Sequence, residues 1–466
     1  MMKKQAITTY QEAVDYLYEI PRFTAKHALE DTKAHLVRLG SPDQTVRNII
    51  HVAGTNGKGS VCTYLRYCLE EAGYRVAVFT SPHLVDIRER FVVDGHMIGE
   101  EDFLRLFLQV YDSLDWTCAE QYHPTYFEYL FLMAMLYFAE VQPDYCILET
   151  GLGGRLDATN AVAEKALTII TRIGLDHTEY LGDTLAQIAW EKAGIMRQGV
   201  PVVYCDAVPE ASAVFVERAK KLQIESYPVS KKDYAFSKFE NKSIDFSLHT
   251  RYYGYIGVTL RTMARYQMEN AAIAVRGLEV LSDAAAVAAG QEPMCMAERK
   301  PVRTAEQKPL CTAEQIRTGL RKAFWQGRME EILPEVFVDG AHNADGIRAF
   351  LDTVKADGCT ESGRKRTLIF SVVQDKDYKS MIRQVLAAEV FDRIYVAHMQ
   401  SKRAADPEQI RLAWEQGETK VQIVICEDVR EALRRAVAVQ EGDRIYVAGS
   451  LYLVGEIKEF LEHDQF

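Results

Sequence analysis

The sequence predicts an α/β protein in two parts: a mostly parallel sheet flanked by helices, then a smaller C-terminal α/β unit. Three observations carry this. Apolar runs of strand length alternate with helix-period segments along most of the 466 residues, the pattern of parallel sheets with helices on both faces. A length of 466 residues suggests two or three domains. A new strand–turn–helix unit starts near Glu335, after a compositional break, and places a boundary near residue 330.

The strands of the larger part are expected at Val46–Ala53, Arg75–Thr80, Asp144–Glu149, Leu167–Ile173 and Val200–Cys205. Those of the smaller part are expected at Glu335–Asp339, Thr367–Val373, Arg393–His398, Val421–Ile425 and Arg444–Ala448. Helical segments lie between most of them. A weaker strand pattern from Tyr234 to Thr259 suggests a small antiparallel patch. The longest apolar run, Tyr129 to Ala139, lies between Glu128 and Glu140. A membrane helix needs roughly 20 apolar residues, so this one reads as a buried helix. The break at Ser282–Cys311 begins Ala-rich and continues through Gly290-Gln291-Glu292-Pro293, Lys300-Pro301 and Lys308-Pro309. It reads as an exposed, mobile insertion. Thr312-Ala313-Glu314-Gln315 then has the form of a capping box, opening a helix to about Trp325. The expected domains are 1–330, containing the insertion, and a Rossmann-like 331–466.

Composition narrows the partners. Hydrophobic residues make up 48% and charged residues 26%, which excludes a mainly disordered or fibrous chain. Sixty-six acidic residues against 55 Lys plus Arg give a net charge of −11. General affinity for nucleic acid is therefore not expected, while a local basic pocket for a phosphate stays open. The first ten residues lack the apolar stretch of a secretory signal. The nine cysteines are odd in number and form no CxxC pair. A disulfide framework or cysteine-rich zinc site is not expected, and a reducing cytoplasm fits best. No membrane partner is expected.

The chemistry concentrates at strand ends. Ile49-Ile50-His51-Val52-Ala53 runs into Gly54-Thr55-Asn56-Gly57-Lys58-Gly59-Ser60 and then a helix. This P-loop-type context lets glycines turn backbone N–H groups toward phosphate oxygens at a helix N-terminus. Lys58 would bridge terminal phosphates and the Ser60 hydroxyl would face Mg²⁺. Gly59 separates the two, a departure from the common GxxxxGK[ST] spacing. Glu149 ends another strand and leads into Thr150–Asn160, where a carboxylate suits a hard cation. His177 follows a third strand and Ser81 a fourth. Imidazole is an unusual Mg²⁺ ligand, so His177 implies a second cation position with mixed ligands. Asp183 is expected to cap a helix continuing through Met196. On it Lys192 shares an apolar stripe with Leu185, Ile188, Ala189, Ile195 and Met196. Desolvation lowers a lysine pKa, and a neutral amine can react with CO₂; a snorkelling lysine is the plainer alternative.

Taken together, these segments resemble the folylpolyglutamate synthase/dihydrofolate synthase family of the Mur ligase superfamily. The resemblance is carried by Gly54–Ser60, Ser81-Pro82-His83-Leu84, Thr125-Tyr126-Phe127-Glu128, Glu149–Asn160, Gly174–His177 and Glu191-Lys192-Ala193-Gly194-Ile195. It continues with Asn270-Ala271-Ala272, Gly327-Arg328, Asp339-Gly340-Ala341-His342-Asn343 and Gly449-Ser450-Leu451-Tyr452. Where the family often reads Pro-Gly-Arg, this chain has Gln326-Gly327-Arg328.

The resemblance implies an ATP-dependent ligase. A folate-type carboxylate attacks the γ-phosphate of MgATP, and the amine of L-glutamate then attacks the acyl phosphate. It implies an N-terminal ATP-binding domain and a C-terminal glutamate-ligase domain. ATP would be held by Gly54, Thr55, Asn56, Gly57, Lys58, Gly59, Ser60, Asn270, Arg328, Asp339 and His342. The cofactors implied are ATP and Mg²⁺, as two ions held by Ser60, Ser81, Glu149 and His177, with K⁺ as an optional addition. Lys192 matches a lysine carbamylated in the family, and the catalytic set is Lys58, Lys192 and His177. The folate or dihydropteroate side would involve Arg22, Phe23, Thr24, Thr125, Tyr126, Phe127, Glu128, Leu156, Asp157 and Ala158. A monomer with small-molecule substrates is expected. Two alternatives share the phosphate loop: a Mur-type ligase acting on a cell-wall precursor, and a nucleotide-hydrolysing switch.

Overall fold

Strand direction decides where this protein can bind a ligand. The computed structural model describes residues 6–20, 29–116, 122–162, 164–288, 309–359, 363–401, 403–416, 421–439 and 442–463. The first sheet is built from β1 (Ile49–Ala53), β2 (Val76–Phe79), β3 (Phe91–Val93), β4 (His96–Met97), β5 (Tyr145–Glu149), β6 (Leu167–Ile170), β7 (Val202–Cys205) and β8 (Ser226–Val229). Their order is β4-β3-β2-β5-β1-β6-β7-β8. From β2 to β8 in that order all pairings are parallel; β3 and β4 are antiparallel additions at one edge. The loops after β1, β2, β5 and β6 therefore leave from one end of the sheet, where open α/β sheets bind ligands.

Alternation along each strand divides the apolar residues between two faces. Val52 and Ile147 pack in one core with the helices Lys58–Glu71 and Gln267–Ala288. Phe79 and Leu148 pack in another with the helix Tyr126–Val141. That helix is the apolar run of the sequence, and Thr125 and Glu128 close it with a capping box. The weak pattern after Tyr234 forms a separate antiparallel sheet of β9 (Tyr234–Glu240), β10 (Ser243–Thr250) and β11 (Gly254–Leu260). Its Phe246, Leu248 and Val258 join the core beneath the Gln267–Ala288 helix.

The third sheet contains β12 (Arg328–Leu333), β13 (Val336–Asp339), β14 (Arg366–Phe370), β15 (Arg393–Ala397), β16 (Gln422–Cys426) and β17 (Arg444–Ala448). Its order is β12-β13-β17-β14-β15-β16, parallel except for the antiparallel edge strand β12. All ten expected strands are present, most with trimmed ends and β14 and β16 shifted by one residue at an end, whereas β3, β4, β8 and β12 are additional. β4, β8 and β12 lie at sheet edges, where one-sided pairing leaves a weak apolar signal, and β3, paired on both sides, is only three residues long.

Three expectations need correction. Ser282 and Asp283 do not open an insertion; they are buried within the Gln267–Ala288 helix. An Ala-rich run is a good helix former. Asp283 pairs with Arg251, and the Ser282 hydroxyl accepts from the backbone N–H of Leu310 at 3.0 Å. Cys311 at the far end is also buried, and residues 289–308 lie outside the described residues. The helix bearing Lys192 spans Leu185–Ala193, ending before Met196, and its cap is Thr184 with Gln187 rather than Asp183. The Thr312 capping box is present, but its helix ends at Lys322.

Phe79 is fully buried at the end of β2, with ring centroids of Phe91 and Phe127 at 5.7 and 5.6 Å. Phe79→Ala should destabilise the protein by about 3–5 kcal/mol in denaturant unfolding. A loss below about 1 kcal/mol would contradict this packing.

Candidate active site

One cleft of about 1120 Å³ is lined by loops from the first and third sheets. It gathers Gly54–Ser60, Ser81, Glu149, His177, Lys192, Asn270, Arg328, Asp339 and His342. Thr125–Glu128 and Leu156–Ala158 line it as well. Arg22, Phe23 and Thr24 lie outside the described residues.

The loop after β1 is shaped by close approach. Gly54 has φ +152°, and a Cβ there would stand 1.8 Å from Thr171 Oγ1. Gly57 has φ +91°, and its Cβ would stand 2.3 Å from Asn270 Oδ1. Only glycine fits both demands. Thr171 Oγ1 donates to the Asn56 carbonyl at 2.8 Å, and the Thr55 N–H donates to the Arg172 carbonyl at 3.0 Å. The loop is thereby tied to the end of β6. The Lys58–Glu71 helix begins directly after it, with its first N–H groups toward the cleft.

Two lysines converge on one carbonyl. Lys58 Nζ donates to Gly54 O at 3.2 Å and Thr55 O at 3.3 Å, and Lys192 Nζ donates to Gly54 O at 2.8 Å. Lys192 is buried, so the snorkelling alternative does not hold. Burial, then the positive charge of Lys58, brings its amine down to about 7. Glu149 Oε1 lies 4.0 Å from Lys58, and its Oε2 accepts the Ser81 N–H at 3.1 Å. Burial raises the Glu149 carboxyl, with Lys58 opposing. The Ser81–Pro82 peptide is cis. Ser60 Oγ accepts from Gln267 Nε2 at 3.0 Å, and Gln267 Oε1 accepts from Asn270 Nδ2 at 2.9 Å.

His177 stands in left-handed backbone, φ 50°, beside Asp176. Burial lowers its imidazole to about 4; Asp176 opposes this, and the neighbouring Lys376 and His342 add to it. The ring is neutral near pH 7, with a lone pair for a cation. Burial alone would raise Asp176, but His342, Lys376 and His177 hold it far below the usual carboxylate range. Asp176 also accepts from Asn343 Nδ2 at 3.1 Å, and Asn343 and Asn56 exchange side-chain hydrogen bonds at 3.1 and 3.3 Å. The loops of the two sheets are thus joined at the cleft. Among the described residues, no three His, Cys, Asp or Glu side chains cluster as a metal site.

Across the cleft, Asp339 accepts from Tyr266 OH at 2.6 Å and from the N–H groups of Met329 and Ala341 at 3.1 and 2.9 Å. Burial raises its carboxyl. Arg328 Nη1 donates to Gly327 O at 2.9 Å, and His342 Nδ1 lies 2.8 Å from Gly340 O. At the other end, Tyr126 is buried, and the Tyr18 ring stacks on it at 6.0 Å. Phe127 is half-buried over Gly151. Glu128 is engaged in the helix cap and by Tyr122 and Thr32. Asp157 caps the turn Ala158–Ala161 and accepts the Leu152 N–H at 2.8 Å. Sequence reasoning missed Gln267, Tyr266, Asn343 and Lys376 as partners of the site. Asn343 stood in a quoted motif; the others carry no spacing signal, because the fold brings them from distant segments.

Residues 52–276 match the Mur ligase middle domain, and residues 327–451 match the Mur ligase, glutamate ligase domain. Dihydrofolate synthase/folylpolyglutamate synthase of Bacillus subtilis is 33% identical, over 98% of this chain and 100% of that one. Dihydrofolate synthetase of Saccharomyces cerevisiae is 33% identical, over 91% of this chain and 95% of that one. The solved structure of E. coli FolC in complex with DHPP and ADP superposes with a TM-score of 0.79 at 27% identity, covering 99% of each chain. An FPGS–AMPPCP complex superposes with a TM-score of 0.78 at 27% identity, over 98% of this chain and 100% of that one. Among the described residues, no helix is long and apolar enough to cross a membrane.

The Lys192 amine gives a pH test. Its folded value of about 7 lies below the ordinary 10.5. Between these values the unfolded chain holds a proton that the folded protein lacks, so this group's contribution to stability rises with pH. In CO₂-free buffer, wild type should gain stability relative to Lys192→Met between pH 7 and pH 9 in denaturant unfolding. A pH-independent difference would contradict a neutral, buried amine.

Proposed function

The chain belongs to the folylpolyglutamate synthase/dihydrofolate synthase family of the Mur ligase superfamily, and from that premise we propose how its cleft carries out the ligation. Members of this family are ATP-dependent ligases that join glutamate to folates, and this chain is one of them. The assignment of roles to residues rests on one observation: Lys58, Lys192 and Glu149 meet at the loop after β1, within a cleft whose other wall carries Arg328, Asp339 and His342.

ATP lies in that cleft with its phosphates over Gly54–Ser60. Glycine backbone N–H groups and the helix N-terminus face the phosphate oxygens, and Lys58 leaves its two carbonyl partners for the terminal phosphates. Asn270, Arg328 and Asp339 contact the nucleotide from the remaining sides, with His342 in the same motif. The donors present fit Mg²⁺. Glu149 is a buried carboxylate at a strand end with a backbone N–H and Lys58 beside it, and Ser60 and Ser81 are hard oxygens. Together with the neutral nitrogen of His177 they would hold two Mg²⁺ ions. When bound, the ions neutralise charge on the transferring phosphoryl group.

The pteroyl acid enters from the end lined by Phe127, Leu156 and Ala158. Its carboxylate oxygen attacks the γ-phosphorus, the bond to ADP breaks, and an acyl phosphate forms. The neutral amine of L-glutamate then attacks the acyl carbon, phosphate leaves, and the amine loses a proton. No side chain forms a covalent bond to substrate; the residues align the reactants and balance charge. The neutral Lys192 amine can also add CO₂, forming an N–C bond and releasing a proton. The resulting carbamate supplies a carboxylate-like group beside Gly54. Both dihydropteroate and tetrahydrofolate carry the required acid.

A coupled ADP assay tests this reading. ADP release should require ATP, Mg²⁺, L-glutamate and either dihydropteroate or tetrahydrofolate. Lys58→Ala should lower kcat by about 100-fold or more, with the circular dichroism spectrum retained. Substrate-independent ADP release, or an unchanged rate in the variant, would contradict it.

A further inference from the structure

Arg90 is a buried cation that the account above does not use. It ends the short turn Ile87–Arg90, directly before β3, and its backbone carbonyl accepts the Thr80 N–H at 3.2 Å. Its side chain lines the cleft, yet the residue is only 6% exposed. Nε donates to His83 Nδ1 at 2.9 Å, which aims the guanidinium and leaves His83 Nε2 toward Tyr18 OH at 3.3 Å. The guanidinium carbon lies 5.5 Å from the Tyr126 ring centre. Glu149 feels its charge, but among the described residues no carboxylate oxygen comes within 4.0 Å of it. The other buried basic side chain of the cleft, Lys192, has Gly54 O. The terminal nitrogens of Arg90 have no such protein acceptor among the described residues.

A buried guanidinium without a counter-charge is unfavourable unless an anion completes it, and its planar fork matches a carboxylate. Arg90 is tied through the Thr80 N–H to the strand end whose Ser81 N–H binds Glu149, at the reacting end, and its guanidinium faces Tyr126, at the pteroyl end. Two carboxylates compete for it. The reacting one loses its charge as the acyl phosphate forms, so a strong fork on it would stabilise the ground state and slow the step. A folate ending in glutamate carries a second carboxylate, the α group, which stays charged throughout. A dihydropteroate-type acid has none.

Resting on the ligase reading above, we propose that Arg90, aimed by His83, binds the non-reacting α-carboxylate of a glutamate-terminated folate and so sets the preference for such acids over pteroate-type acids. Arg90 is the specificity-determining contact and His83 a positioning residue behind it.

Calorimetry with the full chain, Mg²⁺ and a non-hydrolysable ATP analogue tests this, using pteroylglutamate and pteroate as probes. They share a ring system and differ by the glutamate. Arg90→Gln should weaken pteroylglutamate about tenfold or more and change pteroate less than about twofold. Arg90→Lys keeps the charge without the fork; it should show the same preference at smaller size, and it carries the comparison if Arg90→Gln does not fold. Equal weakening of both ligands, greater weakening of pteroate, or no change for either would overturn the proposal. Wild-type protein that binds neither ligand would instead overturn the ligase reading, and this inference with it.

Discussion

The Gly54 carbonyl oxygen accepts from two lysines at once, and the site is organised around that convergence. One of the two, Lys192, is buried with its pKa brought to about 7, which relieves the repulsion of two adjacent positive charges. The other, Lys58, keeps Glu149 at 4.0 Å. Two backbone constraints make this geometry available. Gly54 can approach Thr171 and Gly57 can approach Asn270 because neither has a Cβ. Parallel pairing of β5, β1 and β6 then delivers Glu149 and the loops after β1 and β6 to the same end of the sheet.

The same end also receives the third sheet. Asn343, the helix cap that follows β13, exchanges hydrogen bonds with Asn56 of the phosphate loop and donates to Asp176. Lys376 reaches Asp176 from the segment after β14. The loop after β1 is therefore coupled directly to the part of the chain that matches the glutamate ligase domain. In the proposed ligation this coupling gives a physical reason for two sheets in one reaction: the first supplies the loops for nucleotide and acid, and the third supplies the opposite wall of the cleft.

Much of this was legible in the sequence, for identifiable reasons. Fully buried parallel strands such as β1 and β5 read as continuous apolar runs, and each of the ten expected strands is present. Gly54–Ser60 stand out because they follow such a run directly and Glu149 because it ends one, while His177 lies on the longer loop after β6. Edge strands β4, β8 and β12 were not legible, since a strand paired on one side has little apolar pattern, and β3 is too short at three residues to show one. Ser282 and Asp283 were misread because an Ala-rich stretch looks like a break until Arg251 and Leu310 supply partners from elsewhere. At the Lys192 helix both Asp183 and Thr184 are cap formers, and the Thr184–Gln187 capping-box spacing decides between them. Gln267 and Lys376 depend on contacts between distant segments, which no local pattern encodes, while the Arg90–His83 pair closes across a short irregular turn that carries no helical or strand period.

The central claim is that this cleft activates a carboxyl group by passing it a phosphoryl group from ATP. Oxygen-18 in the carboxylate of the pteroyl acid tests that most directly. The account predicts one labelled oxygen in the inorganic phosphate for each amide bond formed, because the attacking carboxylate oxygen departs with the phosphate. Unlabelled phosphate accompanying amide formation would contradict it.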